Sequence, residues 1–78
     1  MTASWEADVD YEQSHLIKMA NQIAANVPDR ARVADQVAAH LCNFWTPLMR
    51  RDLQAIADDY PDLLVPDVHA ALVVVRRA

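Results

Sequence analysis

The sequence predicts an all-α fold, a small bundle of three to four short helices with a Thr-Pro hinge between the second and the third. Three observations favour this fold class. Apolar residues recur at steps of three and four, which is the period of an amphipathic helix. Glycine is absent, although tight β-hairpins usually require it. Prolines stand where helices are expected to stop or begin, at Pro28, Pro47 and Pro66.

Length and composition indicate one small intracellular domain. The 78 residues are 54% hydrophobic, and much of that fraction is alanine, which suits close helix packing or a core completed by a partner. The net charge of −4 argues against binding to nucleic acid. The single cysteine, Cys42, cannot form an internal disulfide, and no apolar run is long enough to span a bilayer. We therefore expect a cytoplasmic protein that contacts no membrane.

We expect a boundary after position 10, between an N-terminal arm and a helical domain. Residues 1–10 are polar and acidic and are predicted to be a flexible N-terminal arm, while residues 11–78 are predicted to be a single helical domain. Asp10 can cap the first helix, and Pro28 stops it. The apolar stripe of this helix consists of Leu16, Ile17, Ala20, Ile23, Ala24 and Val27.

The second helix has the clearest pattern in the chain. Asp29 is expected to cap its start. Four large apolar residues fall within a sector roughly 80° wide on a helical projection: Val33, Val37, Leu41 and Phe44. Trp45 extends this sector, so we expect Phe44 and Trp45 to close the end of the helix contact.

Thr46 and Pro47 act together as a hinge and as the start of a third helix. Proline fits the first position of a helix, and the threonine hydroxyl can cap it. We expect this helix to run from Pro47 to about Tyr60, with Arg50 and Arg51 mostly solvated. Its predicted apolar side consists of Leu48, Met49, Leu53, Ile56, Ala57 and Tyr60.

A linker bounded by Pro61 and Pro66 leads to the last element. The run Val73-Val74-Val75 favours a strand by propensity, but a lone strand has no partner here, so a helix from Pro66 is predicted. Its large apolar residues are Val68, Leu72, Val73 and Val75.

The distribution of reactive side chains predicts no catalytic, cofactor-binding or metal-binding residue. The three histidines lie on three different predicted helices, and His40 and Cys42 are two positions apart, so they point to different sides of a helix. Arg50 and Arg51 follow an aromatic pair at the bend, and tryptophan and arginine are enriched at interface hot spots. The alternative is that this arginine pair is simply solvated. A DNA-binding helix–turn–helix is disfavoured because Leu48 and Met49 begin the third helix.

Two stretches resemble a known family. The run Met19-Ala20-Asn21-Gln22-Ile23-Ala24 and the pattern His40-x-x-x-Phe44-Trp45-x-Pro47-x-Met49-Arg50 resemble the delta subunit of cytoplasmic NAD-dependent formate dehydrogenases. The resemblance covers about residues 14 to 76. The chain departs from the family pattern at Thr46, commonly Asp, and at Leu48, commonly Arg.

The resemblance implies a small, non-catalytic accessory subunit that supports assembly or stability of a large catalytic subunit. That partner carries a bis-pterin molybdenum or tungsten centre and iron–sulfur clusters, further subunits carry FMN and more clusters, and this chain binds none of them. The predicted partner interface consists of His40, Phe44, Trp45, Pro47, Met49, Arg50 and Arg51. Two alternatives stay open. Phe44 and Trp45 could be core residues, and the chain could be a free-standing homodimeric module or a transcriptional regulator.

Overall fold

The computed structural model describes residues 11–77, and these residues form four α-helices with no strand. The helices are α1 (Tyr11–Asn26), α2 (Val33–Phe44), α3 (Pro47–Asp59) and α4 (Pro66–Arg77). One turn of 3₁₀-helix precedes α2, and another lies between α3 and α4. The all-α prediction is confirmed. The predicted arm over residues 1–10, including the Asp10 cap, lies outside the described residues.

The helix starts follow local sequence signals. The Asp29 carboxylate accepts a hydrogen bond from the Ala31 amide at 3.1 Å, and so caps the 3₁₀ turn that leads into α2. At the start of α3, Thr46 Oγ1 accepts from the Met49 amide at 3.1 Å, and Pro47 occupies the first helical position. Both caps use a short polar side chain to satisfy an amide that has no partner within its own helix. The predicted cap at Thr46 is confirmed, whereas Asp29 caps the 3₁₀ turn and α2 itself begins after Arg32 without a side-chain cap.

One apolar core joins the four helices. The most extensive contact is between α2 and α4, and α1 touches each of the other three helices. The largest side chains that are fully buried come from α2, α3 and α4: Leu41, Leu53, Ile56, Val37 and Val68. From α1, Ala20 and Ala24 are completely buried, and their small side chains let neighbouring backbones approach closely.

The first helix end is closed by an arginine. No residue between 11 and 77 has a positive φ, so α1 and α2 end without the left-handed turn that glycine usually provides. Arg30 Nη1 instead donates to the carbonyls of Ala24 at 2.8 Å and Val27 at 3.0 Å, at the end of α1. Arg30 Nη2 also pairs with Asp67 of α4 at 2.6 Å. This one side chain therefore connects the end of α1 to the start of α4.

The linker before α4 is held by side chains from two helices. Asn21 donates from Nδ2 to the Leu63 carbonyl at 2.9 Å and accepts from the Val65 amide at 3.0 Å. His69 Nε2 donates to the Pro61 carbonyl at 2.7 Å. The side-chain amide of Asn21 thus makes the pair of bonds that a neighbouring backbone would make, and it fixes the linker against α1.

Three apolar residues are more exposed than their pattern predicted. Phe44 is 74% exposed, Leu48 56% and Val73 37%. Phe44 has the correct helical angle but is the last residue of α2, where no other helix covers it. Leu48 lies about 135° from the centre of the buried stripe of α3, and Val73 is similarly displaced on α4. Placing Leu48 and Val73 on the apolar sides of their helices was wrong, and so was the expectation that Phe44 closes the end of the helix contact.

Candidate docking surface

Trp45 forms the inner side of the hinge between α2 and α3. Its backbone is extended, with φ −95° and ψ 145°, and its amide donates to the Leu41 carbonyl at 3.1 Å. Because the chain leaves the helical path at this residue, the indole does not follow the direction of Phe44, and only 5% of the residue is exposed. Trp45 is therefore a core residue, and its side chain is not available to a partner in this conformation.

Arg50 closes the outer side of the same hinge. Its Nη1 donates to the carbonyls of Trp45 at 2.7 Å and Leu41 at 3.2 Å, and lies 3.5 Å from the Cys42 carbonyl. The carbonyls at the end of a helix carry partial negative charge, so a guanidinium is well suited to them. The expectation that Arg50 is mostly solvated was wrong, because it is half-buried and bound to the end of α2.

Phe44 is the large aromatic residue that the hinge leaves on the surface. Its ring lies 4.8 Å from the ring of His40, centroid to centroid, at an interplanar angle of 42°. His40 in turn lines a cleft of about 350 Å³ between the end of α1 and α2, with Ile23, Val27 and Pro28 among its other walls. We call Phe44, His40 and this cleft the aromatic surface.

The seven predicted interface residues separate into two groups. Trp45 and Arg50 are engaged within the fold, Pro47 starts α3, and Met49 packs against the core. His40, Phe44 and Arg51 remain available, since Arg51 is exposed and His40 is half-buried beside Phe44. Of the predicted set, the structure brings together only His40 and Phe44 at the surface through a direct ring contact.

A second exposed region was missed by the sequence reasoning. Tyr11, which is 85% exposed, stacks on His15 with the ring planes 1° apart and the centroids at 6.4 Å. Both line a cleft of about 230 Å³ together with Leu48 and Met49 of α3. The helical angle of Leu48, outside the buried stripe, was the signal that could have indicated it.

The chain's own donors do not fit the cofactors of the complex that the sequence resembles. An iron–sulfur cluster is held by four thiolates, and this chain has one cysteine. Within residues 11–77, no three side chains of His, Cys, Asp or Glu are close enough to hold a metal ion. None of the four described helices has the length and apolar character needed to cross a membrane.

Most of the chain matches a known protein family. The family model described as NADH-dependent formate dehydrogenase delta subunit FdsD matches residues 15–72. No curated protein and no solved structure matches the chain. The matched range includes α2, α3 and both segments that carry the resemblance, and it covers well over half of the sequence. The chain therefore belongs to the family of NADH-dependent formate dehydrogenase delta subunits.

Proposed function

We propose that this chain is a non-catalytic accessory subunit that supports assembly or stability of the large catalytic subunit of formate dehydrogenase. The observation that carries the proposal is the exposed Phe44, held against His40 at the border of an apolar cleft. An aromatic side chain has few rotatable bonds and loses little conformational freedom on binding, which is typical of interface anchors. Family membership indicates the complex, and the aromatic surface offers a way to dock on it.

The partners follow from the same proposal. The large subunit carries a bis-pterin molybdenum or tungsten centre and iron–sulfur clusters, and further subunits carry FMN and additional clusters. This chain contributes no ligand to them, in agreement with its single cysteine. The complex is proposed to be cytoplasmic and to contact neither membrane nor nucleic acid, and the net charge of −4 supports the last point.

The test is co-purification of a tagged chain with the other subunits after co-expression. Phe44→Ala should reduce recovery of the large subunit, and a residue that acts as a hot spot corresponds to a loss of affinity of about 30-fold or more. Because Phe44 is 74% exposed, the variant should keep its helicity by circular dichroism. Val73→Ala, which also shortens an exposed apolar side chain, is the matched control and should co-purify normally.

The amounts recovered distinguish the possible roles. Near-equal amounts of the two chains would indicate a permanent subunit, while recovery of much less large subunit than tagged chain would indicate a transient assembly factor. Undiminished recovery with Phe44→Ala would contradict docking through the aromatic surface. Recovery of this chain alone, as a dimer, would contradict the proposal and favour a homodimeric module.

A further inference from the structure

The second exposed region extends into a groove between α1 and α3. Two adjoining clefts, of about 230 and 160 Å³, share Glu12, Leu16 and Asp52 in their walls. Leu48 and Tyr11 give one end of this groove an apolar rim, and both are more than half exposed. We call it the acidic groove, because both of its carboxylates, Glu12 on α1 and Asp52 on α3, line both clefts.

The carboxylates of the acidic groove have no basic partner in the described part of the chain. The carboxylate groups of Glu12 and Asp52 form no ion pair or hydrogen bond with another residue between 11 and 77, whereas the carboxylate of Asp67 pairs with Arg30. Both are exposed and face the apolar residues Leu16 and Leu48 across the clefts. A ligand that covers the apolar rim would bring these charges out of water, so it must itself supply positive charge.

We propose that the acidic groove binds a helical segment of a partner subunit that presents an apolar side chain flanked by lysine or arginine. The apolar side chain would occupy the cleft beside Leu48 and Tyr11, and the basic residues would pair with Glu12 and Asp52. The inference rests on the proposed function, since the segment belongs to another subunit of the complex. It concerns a different surface, however, because no residue lines both the acidic groove and the cleft of the aromatic surface.

Charge also favours a basic partner segment over two other possible occupants of the groove, residues 1–10 of this chain and a second copy of it. Residues 1–10 lie next to the groove in sequence, but they carry Glu6, Asp8 and Asp10 and no lysine or arginine. Like charges across a contact are unfavourable, so this segment is a poor match for Glu12 and Asp52. A second copy of the chain carries exposed arginines at the end of α4, Arg76 and Arg77, but its net charge of −4 opposes its approach, and self-association is one outcome of the test below. A basic segment of another protein is the complementary ligand.

The test uses two synthetic helical peptides of about 18 residues, long enough to form a helix in water. Each has a leucine stripe, flanked by lysines in one peptide and by glutamates in the other. The full chain is titrated with each peptide, and binding is followed by amide chemical shifts. The lysine peptide should bind about tenfold more tightly, because it forms two exposed ion pairs and each contributes up to about fivefold. The shifts should concentrate at Tyr11, Leu48 and Asp52.

Matched variants assign the preference to the groove. Neutralising both carboxylates, with Glu12→Gln and Asp52→Asn together, should remove the preference for lysine. Leu48→Ser should weaken both peptides. Asp62→Asn removes the same charge at an exposed position beyond the far end of α3 and should change neither affinity.

The outcomes separate this inference from the proposed function. Equal binding of the two peptides, or chemical shift changes confined to other helices, would overturn the proposal that the acidic groove binds a basic segment. This would hold even if Phe44→Ala disrupted the complex. Self-association that Leu48→Ser abolishes would also overturn it, in favour of a second copy. Failure of the wild-type chain to co-purify with the large subunit would contradict the proposed function. The peptide titration would still show whether the acidic groove prefers a basic segment.

Discussion

Phe44 and Trp45 occupy opposite environments because the helix ends between them. Phe44 is the last residue of α2 and follows its helical direction into solvent. Trp45 has an extended backbone, which turns its indole into the core. Adjacent aromatic residues in one motif can therefore have separate roles, Trp45 in stability and Phe44 in docking.

Substitution of the two aromatics should separate these roles. Trp45→Ala should lower the free energy of unfolding by about 3–5 kcal/mol, the usual cost of truncating a buried tryptophan. Phe44→Ala should lower it by less than about 1 kcal/mol, because that side chain is mostly exposed. Urea unfolding followed by circular dichroism measures both. Equal losses in the two variants would contradict the assignment of Trp45 alone to the core.

Trp45→Phe serves as a second variant if Trp45→Ala does not fold. It keeps an aromatic ring in the core, and so its cost should be well below that of alanine. A cost as small as that of Phe44→Ala for every Trp45 variant would show that the core tolerates its loss.

At the scale of the helices, the two arginine caps compensate for the absence of glycine. Arg30 binds the end of α1, and Arg50 binds the end of α2. In each case the arginine follows the helix by a few residues and reaches back to carbonyls that have no partner in that helix. The direction in which the chain leaves the helix is thus set by a side chain instead of by a left-handed turn.

Arg50 and its neighbour Arg51 provide a matched comparison. Arg50→Met keeps most of the apolar stem but leaves the Trp45 carbonyl without its donor and the Leu41 carbonyl with the Trp45 amide alone, so unfolding should become easier by about 1–3 kcal/mol. Arg51→Met changes an exposed side chain and should stay within about 0.5 kcal/mol. The measurement is chemical denaturation of both variants. A smaller effect at Arg50 than at Arg51 would contradict the capping role.

The positions at which the helices start and stop could be predicted from the sequence, but the side chains that close the helix ends could not. Asp29, Thr46 and Pro47 act on residues within one turn of themselves, so local chemistry identifies them. Arg50 was interpreted as solvated because its contact depends on the fold of the hinge. Asn21 reaches a linker more than forty residues away, a contact that no local pattern shows.

The candidate docking site was predictable only in part, for a related reason. His40 and Phe44 are four residues apart on one helix, a spacing that brings side chains together. The acidic groove joins Glu12 to Asp52 across two helices, and its existence depends on how α1 and α3 pack. Sequence periodicity gives the faces of each helix but not which faces meet.

At the scale of the whole molecule, most residues that carry the family resemblance serve the fold. In the first motif, Ala20 and Ala24 are completely buried where α1 packs, and Asn21 holds the linker. In the second, Trp45 and Arg50 form the two sides of the hinge. The residues that carry the family resemblance therefore mainly maintain the fold, and a smaller number of exposed residues are available for docking.

Close packing around α1 can be tested with an enlarged side chain. Ala20→Leu should lower the free energy of unfolding by about 1–3 kcal/mol, because Ala20 is fully buried and α1 contacts all three other helices. Ala25→Leu places the same side chain on the exposed side of α1 and should be nearly neutral. Thermal melting of both variants gives the comparison. An equal or higher melting temperature for Ala20→Leu would show that α1 packs loosely.

The pairing of α2 with α4 has a consequence for how the protein forms during synthesis. The largest helix contact joins elements separated by the whole of α3, and α1 likewise reaches past α2 to contact α3. A nascent chain that ends before Pro66 exposes the part of the apolar face of α2 that α4 covers in the complete fold. Contacts of this separation close late and cost loop entropy. The domain therefore completes its core only after α4 has left the ribosome, and until then part of the apolar surface of α2 stays exposed to other chains.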